Sequence, residues 1–251
     1  MRGDSIEISE QGGVRYLHFS VEWVQGAMRI RQPNVLELAY TREMMTGLLL
    51  REPPWPRNAL LIGLGAGSLP KFIYHQLPDT RITVVEADPR VETIARLHFS
   101  LPDDPFRLRV AIDDGARFML LDGESYDYIL IDGFDKYGKA GALDTEPFYR
   151  ACRARLTSAG LLSVNLLGHN RGFVASKDRI AAAFDDRAFV FPSCDSGNAI
   201  AFARGGAPVD ITFKELLARA RTTLRQTGLD LASTVRRLQT EGCLIGNRLV
   251  F

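Results

Sequence analysis

Residues 59–68 read Ala-Leu-Leu-Ile-Gly-Leu-Gly-Ala-Gly-Ser. Four apolar residues, too few and too abruptly ended for a helix, run into Gly63, Gly65 and Gly67, and a helical pattern from Leu69 to Leu77 follows at once. The order is strand, tight glycine turn, helix. Glycine suits this turn because a side chain would hold the backbone away from a bound ligand, and because such turns often need positive φ. The helix beyond it offers free N–H groups and its positive dipole end to the same ligand.

The next strand narrows the ligand. Residues 81–88, Arg-Ile-Thr-Val-Val-Glu-Ala-Asp, form a β-branched run that ends in an acid, Glu86, about twenty residues beyond the turn. A doubly wound fold places there the carboxylate that accepts hydrogen bonds from both ribose hydroxyls of an adenosine-containing ligand. Asp88 and Pro89 serve as N-cap and first position of the following helix, which leaves Glu86 for the ribose. A dinucleotide fold wants GxGxxG, and the third position of that pattern is Ser68. The chain has GxGxG instead, the form typical of S-adenosylmethionine-type folds, so nicotinamide binding is the lesser reading.

Composition is that of an ordinary globular protein. The chain of 251 residues is 46% hydrophobic and 24% charged, enough for one large domain or one domain with a small appendage. With 31 basic and 30 acidic residues the net charge is +1, so no global field draws it to nucleic acid or to an anionic membrane. No apolar signal region or run of 18 apolar residues occurs, and a cytoplasmic protein is expected. Cys152, Cys194 and Cys243 lack CxxC spacing and are expected to be buried reduced thiols; His18, His75, His98 and His169 show no metal-ligand spacing, and no metal is expected.

Residues 5–20 read as a β-hairpin about Gln11-Gly12-Gly13, and Val21 to Ile30 extends it as a third strand, with Gln25 near its end. The segment from Val35 to Leu50 carries a helical pattern, and Pro53, Pro54 and Pro56 end it. Residues 1–55 are therefore expected to form a small antiparallel β domain with a connecting helix, and residues 56–251 a Rossmann-like domain. Strands are expected at 59–63, 81–86, 106–111, 127–132, 160–166, 186–191 and 197–203. Helices between them, clearest at Val91 to Phe99 and Thr145 to Leu156, imply a mostly parallel sheet covered on both faces. Ligands sit at the carboxyl ends of such strands, where this chain places Asp113 and Asp114, then Asp132 and Asp135.

With those residues in hand, the chain resembles the spermidine synthase family of polyamine aminopropyltransferases from about residue 14 to 205. Glu37-Leu38-Ala39-Tyr40 followed by Glu43-Met44-Met45 looks like the family's EFxYxEM motif with one extra residue. Gly63 to Gly67 looks like its GGGDGG loop, Val85-Glu86-Ala87-Asp88 like VExD, and Asp113-Asp114-Gly115 like GDG. Tyr126 to Asp135 is similar to YDVIIxDSSD, and Phe148-Tyr149 with Leu156 and Gly160 to its continuation. The resemblance implies an S-adenosylmethionine-type fold behind a small β domain, decarboxylated S-adenosylmethionine as co-substrate, a small-molecule amine as acceptor, and a homodimer. It makes Gly63, Gly65, Gly67, Glu86, Asp113, Asp114 and Gln25 donor-binding residues, with Glu86 on the ribose and Asp114 on the adenine amino group. Asp132 becomes the catalytic acid/base, Tyr40 its assistant, and Asp135 a holder of the acceptor.

Two departures stand out. The family's Asp within GGGDGG is Ala66 here, and the Pro after its second acidic residue is Lys136. If both face the acceptor, the site has lost one carboxylate and gained an ammonium, and a dicationic amine binds it weakly. The loop from Phe134 to Leu143, with Gly133, Gly138 and Gly141, is expected to act as a lid over the acceptor side. A methyltransferase using S-adenosylmethionine, with Arg42 or Lys136 facing the donor carboxylate, and a non-catalytic nucleoside-thioether binder are the alternatives.

Overall fold

The computed structural model describes residues 6–20, 23–121, 123–134, 139–167, 172–192 and 197–251. Asp135, Lys136, Gly138, His169 and Cys194, named above, lie outside the described residues. The chain opens with β1 (Glu7–Gln11), β2 (Val14–Ser20) and β3 (Trp23–Arg29), an antiparallel three-stranded sheet in that order. Gly12 and Gly13, both at positive φ, form the two-residue connection that the twist of a hairpin favours. Leu17, Ala27 and Met28 are buried, whereas β1 is exposed along its length.

The helix expected over Val35 to Leu50 is shorter and changes type. Only α1 (Ala39–Met44) is α-helical, and Met45–Leu49 tightens into a 3-10 turn. Arg42 Nη1 donates to the carbonyls of Leu36 and Glu37 at 2.9 and 2.7 Å, while Arg29 grips the Glu37 carboxylate with two nitrogens. Residues 36–38 are thereby held out of the helix. At the other end the buried Tyr128 hydroxyl donates to the Met44 carbonyl, taking an acceptor that a continuing helix would use.

Strands and helices then alternate: β4 (Asn58–Ile62), α2 (Ser68–Gln76), β5 (Arg81–Glu86), α3 (Pro89–His98), β6 (Leu108–Ile112), α4 (Gly115–Leu120) and β7 (Tyr126–Ile131). They continue through α5 (Glu146–Ala154), β8 (Leu156–Leu167), α6 (Phe173–Ala183), β9 (Ala188–Val190) and β10 (Asn198–Ala203). The seven-stranded sheet has the order β6-β5-β4-β7-β8-β10-β9. Its first five strands are parallel, and β10 runs antiparallel to both β8 and β9. One edge of the sheet is thus mixed, because β9 and β10 follow one another as an antiparallel pair with no crossover helix between them. The chain runs from β4 outward to β6, then returns to place β7 on the other side of β4. The carboxyl ends of β4 and β7 form the switch point where such sheets bind ligands.

Strand alternation divides the core between the two faces. Ala59 and Leu61 of β4 pack on one side with Leu69, Phe72, Val91 and Ala95 of α2 and α3; Leu60 and Ile62 pack on the other with Met119, Phe148, Cys152 and Ile180. The C-terminal segment closes the first face. β11 (Asp210–Thr212) leads through a Thr212–Glu215 capping box into α7 (Phe213–Thr227); α8 (Ala232–Thr240) follows, and β12 (Arg248–Val250) pairs back with β11. Leu216, Ala220, Val235 and Leu238 are buried there. Among the described residues no helix is long and apolar enough to cross a membrane.

One ion pair ties this C-terminal cover to the segment that carries Tyr40. Arg237 of α8 pairs with Glu43 of α1, whose residue is 3% exposed and whose second carboxylate oxygen has no partner. Removing the cation leaves a buried carboxylate uncompensated. Arg237→Ala is expected to lower stability by roughly 2–4 kcal/mol, read from urea unfolding, with much less loss when Glu43→Gln accompanies it.

Candidate active site

A cavity of about 550 Å³ opens at the carboxyl ends of β4, β5, β7 and β8. Its floor is the glycine turn. Gly63, Gly65 and Gly67 have φ of 96°, 50° and 67°. A Cβ on Gly63 would lie 2.3 Å from the Asp132 carbonyl oxygen, and one on Gly65 2.8 Å from that of Gln25. The turn is therefore pressed against the end of β7 on one side and against β3 on the other. Gly63 and Gly65 line the cavity; Gly67 does not, and serves as the left-handed residue that starts α2.

Glu86 lies at the end of β5 and lines the cavity. Its Oε2 accepts from the Leu64 N–H at 2.9 Å and its Oε1 from that of Asp88 at 3.0 Å. Burial raises its pKa, and the backbone donors oppose that shift. Each oxygen retains acceptor capacity, so the carboxylate is fixed in place yet able to take two hydroxyl donors. Asp114 also lines the cavity while its Oδ1 accepts from the Arg117 N–H at 2.8 Å and caps α4. Asp113 points elsewhere: its carboxylate accepts from Arg117 Nε at 2.7 Å, and it is absent from the lining. Gln25 joins the cavity with Phe19, Val24 and Leu38 from the N-terminal segment.

The acid at the end of β7 sits within a chain of side-chain hydrogen bonds. The Tyr40 hydroxyl donates to Asp132 Oδ2 at 3.2 Å, Asn165 Nδ2 donates to Oδ1 at 2.8 Å, and Asn198 Nδ2 donates to Asn165 Oδ1 at 2.8 Å. All four residues line the cavity. Desolvation raises the Asp132 pKa, held partly down by Asn165 and Tyr40. Burial, and then the Asp132 charge, push Tyr40 well above the usual phenol value. Tyr40 therefore remains a donor at neutral pH, and Asp132 is the group of the pair able to accept a proton. Asn165 and Asn198 were not anticipated. The signal was present in a polar residue set inside Leu161-Leu-Ser-Val-Asn-Leu-Leu167, an otherwise buried run.

Residue 66 does not face the acceptor side. Ala66 is 2% exposed, packs with Leu17, Met28 and Phe99, and lies so close to Gly26 that a Cβ there would approach it to 2.5 Å. The expectation that Ala66 strips a charge from an acceptor pocket is thereby corrected, since its side chain fills the seam between β3 and the glycine turn. Phe134 and residues 139–143 border the cavity, with Gly141–Leu143 a 3-10 turn.

A Rossmann-like sheet of this order, with a GxGxG turn and acids at successive strand ends, defines a protein of the methyltransferase-like fold class. Human methyltransferase-like protein 13 in complex with SAH superposes with a TM-score of 0.64 at 24% identity, over 79% of this chain and 93% of that one. A probable spermidine synthase from Corynebacterium glutamicum gives 0.71 at 22% identity, over 93% and 89%. Sequence resolves the class further. The spermine/spermidine synthase domain family matches residues 37–167. The polyamine aminopropyltransferase of Neisseria meningitidis serogroup A is 35% identical, over 90% of this chain and 85% of its own length. That of Chromobacterium violaceum is 33% identical over 98% and 94%. The chain belongs to the spermine/spermidine synthase family.

The packing of residue 66 has a measurable consequence. Ala66→Asp would place a carboxylate in the apolar seam beside Leu17, Met28 and Phe99, and is expected to lower stability by about 2–4 kcal/mol in urea unfolding.

Proposed function

We propose that this protein transfers an aminopropyl group from decarboxylated S-adenosylmethionine to the primary amine of a small alkylamine, releasing methylthioadenosine. The observation that carries the proposal is a desolvated carboxylate, Asp132, held by Tyr40 and Asn165 in the same cavity as the glycine turn and Glu86. The glycine turn, whose close approaches leave no room for a Cβ, gives the nucleoside thioether access to backbone; Glu86 takes the ribose hydroxyls, and Asp114 the adenine amino group.

The chemistry is an in-line displacement at the methylene beside the sulfonium. The amine nitrogen forms the new N–C bond as the C–S bond breaks, and a neutral thioether leaves. An alkylamine is protonated at neutral pH and cannot attack in that form, so a base must remove a proton. Desolvation makes the Asp132 carboxylate a stronger base than an ordinary one, and the cationic amine is drawn to it. Tyr40 donates to the second carboxylate oxygen and directs the first toward the amine. Phe19, Val24 and Leu38 add apolar surface to the same cavity, which strengthens charge interactions within it.

With Ala66 turned into the core, its lack of charge gives no reason to reject a diamine, so the acceptor class includes dicationic amines. Arg42 is committed to the Leu36 and Glu37 carbonyls, which supports a donor without a carboxylate. Lys139 at the cavity edge is the observation that favours the rival donor, S-adenosylmethionine itself, used for methyl transfer. A cytoplasmic homodimer completes the proposal, the dimer resting on family resemblance; light scattering of the purified chain checks the dimer.

The test offers each donor with a panel of mono- and diamines and measures methylthioadenosine against S-adenosylhomocysteine. Methylthioadenosine formation that depends on the amine is expected; S-adenosylhomocysteine alone would replace the proposal with methyl transfer. Asp132→Asn should lower kcat about 10²–10⁴-fold, as removal of a general base does. Glu86→Ala removes two hydrogen bonds to a charged acceptor, and methylthioadenosine affinity by calorimetry should fall tenfold or more.

The pH profile supplies a signed check. Because burial raises the Asp132 pKa, kcat at saturating substrates should fall with acid above the ordinary carboxylate range. Asn165 holds that pKa down, so Asn165→Ala should move the acid limb to still higher pH. An unchanged limb would remove Asp132 as the base.

A further inference from the structure

At the opposite end of the strands from the cavity, arginines converge without enough carboxylates to balance them. Arg51 follows the 3-10 turn, Arg187 precedes β9, Arg204 follows β10, and Arg219 lies on α7. Arg51 Nε donates to the Ala159 carbonyl at 2.7 Å, and its Nη2 is buried without a partner. Arg187 Nη1 donates to the carbonyls of Gly205 and Gly206 at 3.0 and 3.1 Å. Arg219 pairs with Glu52, which is 75% exposed.

Arg204 is the anomaly. It is 5% exposed, and its Nε is sealed from solvent with no hydrogen-bond partner among the described residues. A Cβ on Gly206 would meet the Ser158 carbonyl at 2.3 Å and Arg204 Nη2 at 3.1 Å, so Arg204 reaches the same start of β8, at Ser158–Ala159, that Arg51 grips. The cations feel one another: burial and then repulsion from Arg204 and Arg219 pull Arg51 down to about 10, and burial followed by Arg187 lowers Arg204. A guanidinium cannot escape by losing its proton near neutral pH, and a buried charge without a counter-charge is strongly unfavourable. Glu52 pairs with Arg219 and Asp185 lies near Arg187, but neither Arg51 nor Arg204 has a carboxylate partner among the described residues.

We propose that Arg51 and Arg204, flanked by Arg187 and Arg219, bind a small tetrahedral oxyanion of the phosphate type at this edge of the sheet. Several planar guanidiniums with spare donors suit an acceptor with oxygens in several directions. The bound anion would tie together the 3-10 turn, β8, the β9–β10 hairpin and α7, and so act on stability from outside the nucleoside cavity.

The test is thermal unfolding of the full chain in inorganic phosphate against chloride at matched ionic strength. A saturable rise in Tm of about 5 °C or more is expected with phosphate. Arg204→Gln should abolish the rise and, in phosphate-free chloride, melt no lower than the parent, since it removes an unbalanced charge. Glu86→Ala should keep the rise, which separates this site from the cavity. If Arg204→Gln does not fold, calorimetric titration of phosphate into Arg51→Gln should show at least tenfold weaker binding. No rise beyond chloride, a rise that survives Arg204→Gln, or unchanged affinity in Arg51→Gln would overturn the proposal. A single-stranded oligonucleotide that acts at far lower phosphate concentration than the free ion would also overturn it, in favour of a nucleic-acid surface.

Discussion

The backbone contact between the glycine turn and the end of β7 governs the arrangement of the site. Gly63 donates to Val85 on β5, the Asp132 N–H donates to Ile62 on β4, and the space between residues 63 and 132 does not admit a Cβ. Those few atoms fix where the donor-side backbone lies relative to the acidic side chain. Glu86 then inherits its position from the same turn, through the Leu64 N–H it accepts. The glycine turn with Glu86 on one side of the cavity and Asp132 on the other are thus parts of a single junction rather than neighbours by chance.

How much of this was legible in the residues depends on the kind of information involved. The glycine turn, the acid ending the next strand and the acids at later strand ends are local patterns, and Glu86, Asp114 and Asp132 all reach the cavity. The choice between Asp113 and Asp114 was not local. One caps a helix at the cavity and the other turns to Arg117, a difference of one residue in where α4 begins. Asn165 and Asn198 were missed for a related reason. Their meeting depends on the antiparallel register of β8 and β10, in which Asn198 lies opposite Leu167, and a strand spacing alone does not give a register.

Ala66 teaches a different point. The sequence shows that a carboxylate common in the family is missing, but not which way the side chain at that position points. A left-handed turn redirects successive Cα–Cβ vectors, so a residue flanked by two such glycines can face the core while Gly65 beside it lines the cavity. Gly26 on β3 completes the explanation, because only a residue without a side chain leaves room for Ala66. The small first sheet and the glycine turn are fitted to each other through this pair.

The hydrogen-bonded chain from Tyr40 through Asp132 and Asn165 to Asn198 joins residues 92, 33 and 33 positions apart. Contacts of such separation form only after long loops have closed, an entropic cost met late in folding. The basicity of Asp132 is therefore a property of the finished fold. In a chain that had assembled its parallel strands but not yet docked its first forty or so residues, Asp132 would meet water and return to ordinary acidity. Proton-accepting strength at this carboxylate would then report the completion of folding itself.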